Sequence, residues 1–202
     1  MTTSGIEAGV AAQTLPGQTS SGDLHVVKCS SSGILVAALD GVGHGDEAAF
    51  AAKTARATLE RHAEEPTIAL IRRCHEALRG TRGVVMSLAS FNVAHGLMTW
   101  IGVGNVQGIL LRSDSSAAPG EESLLLRAGV VGIQLPPLHA EVLPLAVGDS
   151  LIFATDGIQT EFNRGLARCQ APQKAAEMIL AKHAKATDDA LILVVRYSRN
   201  PI

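Results

Sequence analysis

Aromatic side chains are scarce in this chain: one Trp, one Tyr and four Phe among 202 residues. The interior must therefore be built from Ala, Val, Leu and Ile in close-packed layers, which suits strands and helices stacked on one another. Cysteine is equally sparse. Cys29, Cys74 and Cys169 are odd in number and far apart, which excludes a disulfide framework and a zinc knuckle and leaves the reading of buried, reduced thiols. The seven histidines are scattered with no ligand pair at helical spacing, so zinc is disfavoured. There is no excess of either charge, 17 basic against 19 acidic residues, and no Lys/Arg cluster that could neutralise a row of phosphates. Nucleic acid is not an expected partner.

Mean hydropathy is positive, at +0.22. Yet no run approaches the roughly 20 apolar residues that span a bilayer, and the start, MTTSGIEAGVAAQ, has no basic segment leading into a hydrophobic one. No membrane segment or secretory signal is expected, and the location expected is cytoplasmic. The length fits a single domain over residues 1–202 with a substantial core.

Hydrophobic patterning gives an alternating order of elements. Strands are expected at Ile6 to Ala12, Leu24 to Cys29 and Ile34 to Leu39, the last two joined by a Ser-Ser-Gly hairpin turn. A glycine loop after Asp40 leads into an amphipathic helix over 47–63, with Ala48, Ala52, Ala55 and Leu59 at helical spacing. Pro66 opens a second helix burying Ile68, Ile71, Cys74, His75 and Leu78, closed by Gly80 and Gly83. Strands then follow at Val84 to Asn92, Leu97 to Val103, Val106 to Arg112, Ser123 to Arg127 and Leu151 to Thr155. A third helix, Pro172 to His183, precedes a last strand, Ala190 to Tyr197. The polar stretch Ser113 to Glu122 reads as a flexible surface loop. Strand runs broken by helical blocks, with tight hairpins, predict an α+β fold of packed antiparallel sheets covered by helices.

Three acidic positions stand at strand ends. Asp40-Gly41 and Asp156-Gly157 each close a buried strand, and Asp188-Asp189 immediately precedes one. Asp40-Gly41 and Asp156-Gly157, each taken alone, read first as turns, because Gly accepts positive φ and Asp bonds its own backbone, and Asp188-Asp189 reads equally as a solvated turn. Converging carboxylates without basic partners would repel one another. Hard cations such as Mg²⁺ or Mn²⁺ would remove that repulsion, since they favour oxygen donors. The loop Asp40-Gly-Val-Gly-His-Gly45 is the most specific segment: its three glycines permit close backbone approach to an ion or phosphate, and Asp46 is placed to cap the helix beyond. A nucleotide-binding loop fits poorly, since G-x-G-x-x-G from Gly41 fails at Asp46 and from Gly102 at Gln107.

The segments SGD (21–23), LDGVGHGDEA (39–48), WIGVGNV (100–106), GVVGIQLPP (129–137), GDSLIFATDGI (148–158) and TDDALILVV (187–195) occur in an order and spacing that resembles the PPM family of metal-dependent protein serine/threonine phosphatases. The resemblance is greatest to its short bacterial branch that regulates sigma-factor and stressosome signalling. It implies an α-β-β-α sandwich of two antiparallel sheets flanked by helices, with two ions, Mn²⁺ or Mg²⁺, in a cleft at one end. Asp40 would bridge the ions, Gly41 would offer its carbonyl, Asp156 and Asp188 would complete the inner sphere, and Asp23 would act mainly through coordinated water. Asp189 stands where many relatives carry Asn and is read as support behind the ligands or as structure. His44 would either donate a proton to the leaving serine oxygen or hydrogen-bond the loop. Larger relatives hold phosphate with an N-terminal arginine, whereas here the first arginine is Arg56. The expected activity is attack of activated water on phosphoserine or phosphothreonine, without a phosphoenzyme. The expected partners are phosphorylated stressosome-type scaffold or antagonist proteins, with the chain acting as a feedback eraser. A PPM-like docking module that has lost turnover is the alternative, and a nucleotide-hydrolysing protein a second.

Overall fold

A computed structural model describes residues 1–3, 5–114, 116, 119–163 and 170–198. The strands are β1 (Thr2–Thr3), β2 (Ile6–Gln13), β3 (Asp23–Ser30), β4 (Gly33–Gly41), β5 (Val84–Asn92), β6 (Leu97–Val103), β7 (Gln107–Leu111), β8 (Glu121–Ser123), β9 (Leu126–Arg127), β10 (Glu141–Pro144), β11 (Ser150–Ala154) and β12 (Ala190–Tyr197). The helices are α1 (Asp46–Arg61), α2 (Thr67–Ala77) and α3 (Pro172–His183). One sheet runs β1-β2-β12-β11-β7-β8 and the other β10-β6-β5-β4-β3, with β9 beside β6. Every pairing is antiparallel except β6 with β9. The expected α+β sandwich is the observed fold.

The period of two along each strand decides which layer a residue enters. On β4, Ile34, Val36 and Ala38 join Phe91, Trp100, Phe153, Leu191 and Leu193 between the sheets. Leu35, Ala37 and Leu39 face the other way, onto Ala51, Ala55 and Leu59 of α1 and Leu70, Ile71 and Cys74 of α2. On the second sheet, Ile152, Ala154, Ile192 and Val194 pack against Ala175, Ala176 and Ile179 of α3. Four layers result: helices, sheet, sheet, helix. Alanines line the buried face of α1, and that helix consequently sits very close to β4: a Cβ on Gly41 would lie 2.2 Å from the carbonyl oxygen of Ala48.

Several elements differ from the sequence reading. The expected strand Ser123 to Arg127 is two short ones in different sheets, β8 on β7 and β9 on β6. Leu124 crosses between them with its side chain buried and its amide donating to the Gly108 carbonyl. β10 has no clear signature, being four residues ending in proline, and it is tolerated at the sheet edge where no further ladder bond is needed. Asp46 does not cap α1; it is the first helical residue, and Gly45 occupies the cap position without a side-chain bond. Leu70 replaces Ile68 and His75 among the fully buried residues of α2. Cys74 is buried as expected, but Cys29 is exposed on β3, facing outward near the hairpin, and Cys169 lies outside the described residues. The 113–122 loop, also described only in part, has its ends pinned: Asp149 accepts from the Ser113 amide, and Arg112 pairs with Glu122 and Asp149. Among the described residues no helix is long and apolar enough to cross a membrane.

Candidate metal centre

Strand parity aims the acidic groups at one another. Asp23, at the start of β3, is the direct cross-strand neighbour of Asp40, near the end of β4. Asp40 has the parity of Val36 and Ala38, so it points between the sheets, and Asp23 shares that face. Carboxylates directly opposite on a sheet repel one another. From the facing sheet, Thr155 follows Leu151 and Phe153 in parity, and its hydroxyl donates to the Asp23 carboxylate at 2.6 Å while accepting the Leu191 amide at 2.8 Å. This bridge joins the two sheets at the end where β11 and β12 present Asp156 and Asp188.

Asp23 is 4% exposed. Burial raises its pKa to about 7; the Thr155 hydroxyl opposes the shift, and the charges of Asp189, Asp156 and Asp188 add to it. Asp40 is raised further, to about 9, by burial first and then by the field of Asp23, Asp156, Asp188 and Asp189. Asp188 is also raised, chiefly by burial, with the amide of Asp189 and the charge of His44 acting in the opposite sense. Five carboxylates thus lie in one another's field. Among the described residues no hydrogen-bond or ion-pair partner reaches the Asp40 carboxyl, which is half-buried, a costly condition for an ionised acid.

The remaining acids are held in place. Asn105, in the turn after β6, donates its side-chain amide to Asp156 at 2.9 Å, and Lys185 reaches the Asp156 carbonyl at 2.5 Å. Asp189 accepts from the amides of Leu15 and Gly22, both at 2.7 Å, which ties the 14–22 loop beneath the site. Both of its oxygens are thus engaged by backbone. Gly157 packs so tightly on this turn that a Cβ there would lie 1.8 Å from the Asp189 carbonyl oxygen. Gly43 and Gly45 take positive φ, 92° and 77°, turning the 41–45 loop over the helix start, and leave His44 exposed beside the field of Asp188.

Asp23, Asp40, Gly41, His44, Asp156 and Asp188 are thus brought to one end of the sandwich. Thr155, Asn105 and Lys185 are additions that sequence reading did not single out. The first two lie inside quoted motifs, but their partners are residues distant in the chain. Among the described residues no three His, Cys, Asp or Glu side chains close into a ready-made cage. The donor chemistry nevertheless suits hard divalent ions: the groups are all oxygens, they repel one another, and the half-buried Asp40 has no partner among the described residues.

Comparison with known proteins agrees with the fold. A family model described as stage II sporulation protein E (SpoIIE) matches residues 30–198. The phosphoserine phosphatase RsbX of Bacillus subtilis (strain 168) is 30% identical over 94 residues, covering 46% of this chain and 47% of the relative, so the match spans about half of that protein. A solved structure described under the bacterial stressosome as a modular system adapted to control secondary messenger signalling is 29% identical. It covers 95% of this chain and 99% of its own, with a TM-score of 0.85. A crystal structure of RsbX in complex with magnesium superposes with a TM-score of 0.87 over 98% of both chains at 22% identity, a likeness of fold.

Proposed function

The chain belongs to the SpoIIE family, and on that premise we propose that it is a metal-dependent protein phosphatase hydrolysing phosphoserine or phosphothreonine on bacterial stress-signalling proteins. The observation that carries this reading is the half-buried, partnerless carboxyl of Asp40 set directly opposite Asp23. A stress-signalling substrate, a stressosome scaffold or antagonist, is drawn from the likeness to RsbX and to the stressosome structure.

In this reading two ions, Mn²⁺ or Mg²⁺, would be held by Asp40 between them, by Asp156 and Asp188 and by the Gly41 carbonyl, with Asp23 behind. Bound there, the ions supply Lewis-acid activation of water and neutralise phosphoryl oxygens. The chain's own residues do the rest. Thr155 occupies one oxygen of Asp23 and fixes its orientation, which leaves the other to hold water. Asn105 fixes the rotamer of Asp156. His44, exposed at the rim next to Asp188, is placed to give a proton to the departing serine oxygen. A single catalytic unit over residues 1–202, working in the cytoplasm as a feedback eraser, completes the proposal.

The test is phosphate release from a phosphorylated stressosome scaffold protein, with Mn²⁺ or with chelator, for the wild type and Asp156→Asn. Metal-dependent release that falls on the order of a hundredfold or more in the variant supports the reading. A folded, metal-loaded wild type that binds the scaffold without releasing phosphate would sink it and favour a docking module.

A further inference from the structure

Five of the six aromatic side chains are buried: Phe91, Trp100, Phe153, Phe162 and Tyr197 are each at most 4% exposed, whereas Phe50 is 61% exposed. Phe50 lies one turn into α1, on the face opposite the alanines that meet β4. Phe50 is the one aromatic that the described residues present to water, and a lone exposed apolar residue points to a contact only through what surrounds it. Its surroundings form a groove of roughly 510 Å³, walled by Asp46, Glu47 and Phe50 on α1 and by Gly80, Thr81 and Arg82 on the loop after α2, within the size range of ligand clefts.

This groove borders the loop that leaves Asp40. The Val42 amide donates to the Gly83 carbonyl, joining the 41–45 loop to the groove wall. The Arg82 guanidinium lies against Gly43, its Nη1 2.6 Å from where a Cβ would be, and pairs with Glu47 at 2.5 Å. A second exposed apolar residue, Ile133, sits against Gly83, with its Cγ1 3.3 Å from a Cβ there. Asp46 and Glu47 against the one cation Arg82 leave the groove net negative.

We propose that this groove docks the polypeptide flanking the phosphorylated residue of a protein substrate, seating an aliphatic or aromatic side chain on Phe50 and a basic side chain beside Asp46. The inference rests on the phosphatase reading for what lies in the adjacent site. It adds that the substrate is recognised as an extended segment bearing an apolar and a basic residue, not as a phosphate alone. An exposed aromatic anchor beside charged rim residues is the usual form of such a contact.

Two probes separate the docking groove from the chemistry. p-Nitrophenyl phosphate is too small to fill the groove and reports the carboxylate site. A fluorescein-labelled phosphoserine decapeptide with leucine and arginine flanks reports the groove by anisotropy, with an aspartate-flanked peptide as its counterpart. Phe50→Ala should weaken the leucine-arginine peptide by about tenfold, with p-nitrophenyl phosphate turnover and melting temperature unchanged. Asp46→Lys should reverse the preference towards the aspartate-flanked peptide. Equal peptide affinity for wild type and Phe50→Ala, or loss of p-nitrophenyl phosphate turnover in step with peptide binding, would overturn the proposal. A wild type inactive on p-nitrophenyl phosphate but still dependent on Phe50 for peptide binding would refute the phosphatase reading and uphold the groove.

Discussion

Asp40 gains no hydrogen bond or ion pair among the described residues and sits opposite another acid, so its worth to the protein lies in what it can bind. Asp40→Asn should therefore abolish phosphate release while leaving the metal-free fold no weaker. In chelator the variant's melting temperature should equal the wild type's below about pH 4, where Asp40 is protonated folded and unfolded alike, and exceed it by a growing margin as pH rises from there to about 9. Thr155 is the opposite case, a residue whose two bonds hold structure. Thr155→Val keeps the shape, but it leaves the buried Leu191 amide without its hydroxyl acceptor and frees Asp23. Urea denaturation should show a loss of about 1–3 kcal/mol, and calorimetry weaker Mn²⁺ binding.

Close approach of elements depends on glycine at two crossing points. Gly41 lets α1 lie against the end of β4, and Gly157 lets the turn after β11 lie against the start of β12. Gly157→Ala places a methyl on the Asp189 carbonyl, a rigid backbone atom, so it should cost at least the ~1–3 kcal/mol of ordinary overpacking, read from the urea midpoint. It should also move Asp156 and so reduce turnover. Asp189 works at the same scale: its two oxygens hold the 14–22 loop. In Asp189→Ala, hydrogen exchange at the Leu15 and Gly22 amides should quicken markedly, an effect that a mere surface turn would not give. Helices and long strands were legible in the sequence because their periodicity spans many residues; α3 and β12 match the expected bounds. β8, β9 and β10 were not, since two to four residues carry no period and their pairing is set by partners elsewhere.

For the whole molecule, the acidic cluster links stability to pH and metal. An acid whose folded pKa lies above its unfolded value, about 4, binds its proton more tightly when folded. Between the two values the folded state carries more protons, so stability falls as pH rises across that window. For Asp23 the window runs from about 4 to about 7 and for Asp40 to about 9. In chelator the melting temperature should thus decline from pH 5 to pH 9, and Mn²⁺ should restore most where the decline is greatest, because the ion replaces the displaced protons. A melting temperature that climbs with pH in chelator would mean that these carboxylates are solvated rather than confined between the sheets.

The sequence by itself determined the layered α+β class, most element bounds and the acidic strand ends, because hydrophobic period and glycine-flanked aspartates are local in the chain. It also placed Asp23, Asp40, Asp156 and Asp188 in one set, through motif order. Tertiary structure alone decided which of these acids is pinned and which is left without a partner. Thr155 meets Asp23 across 132 residues and Asp189 meets the Leu15 amide across 174. Such contacts depend on two sheets meeting face to face, and no spacing within one strand encodes the partner on the other.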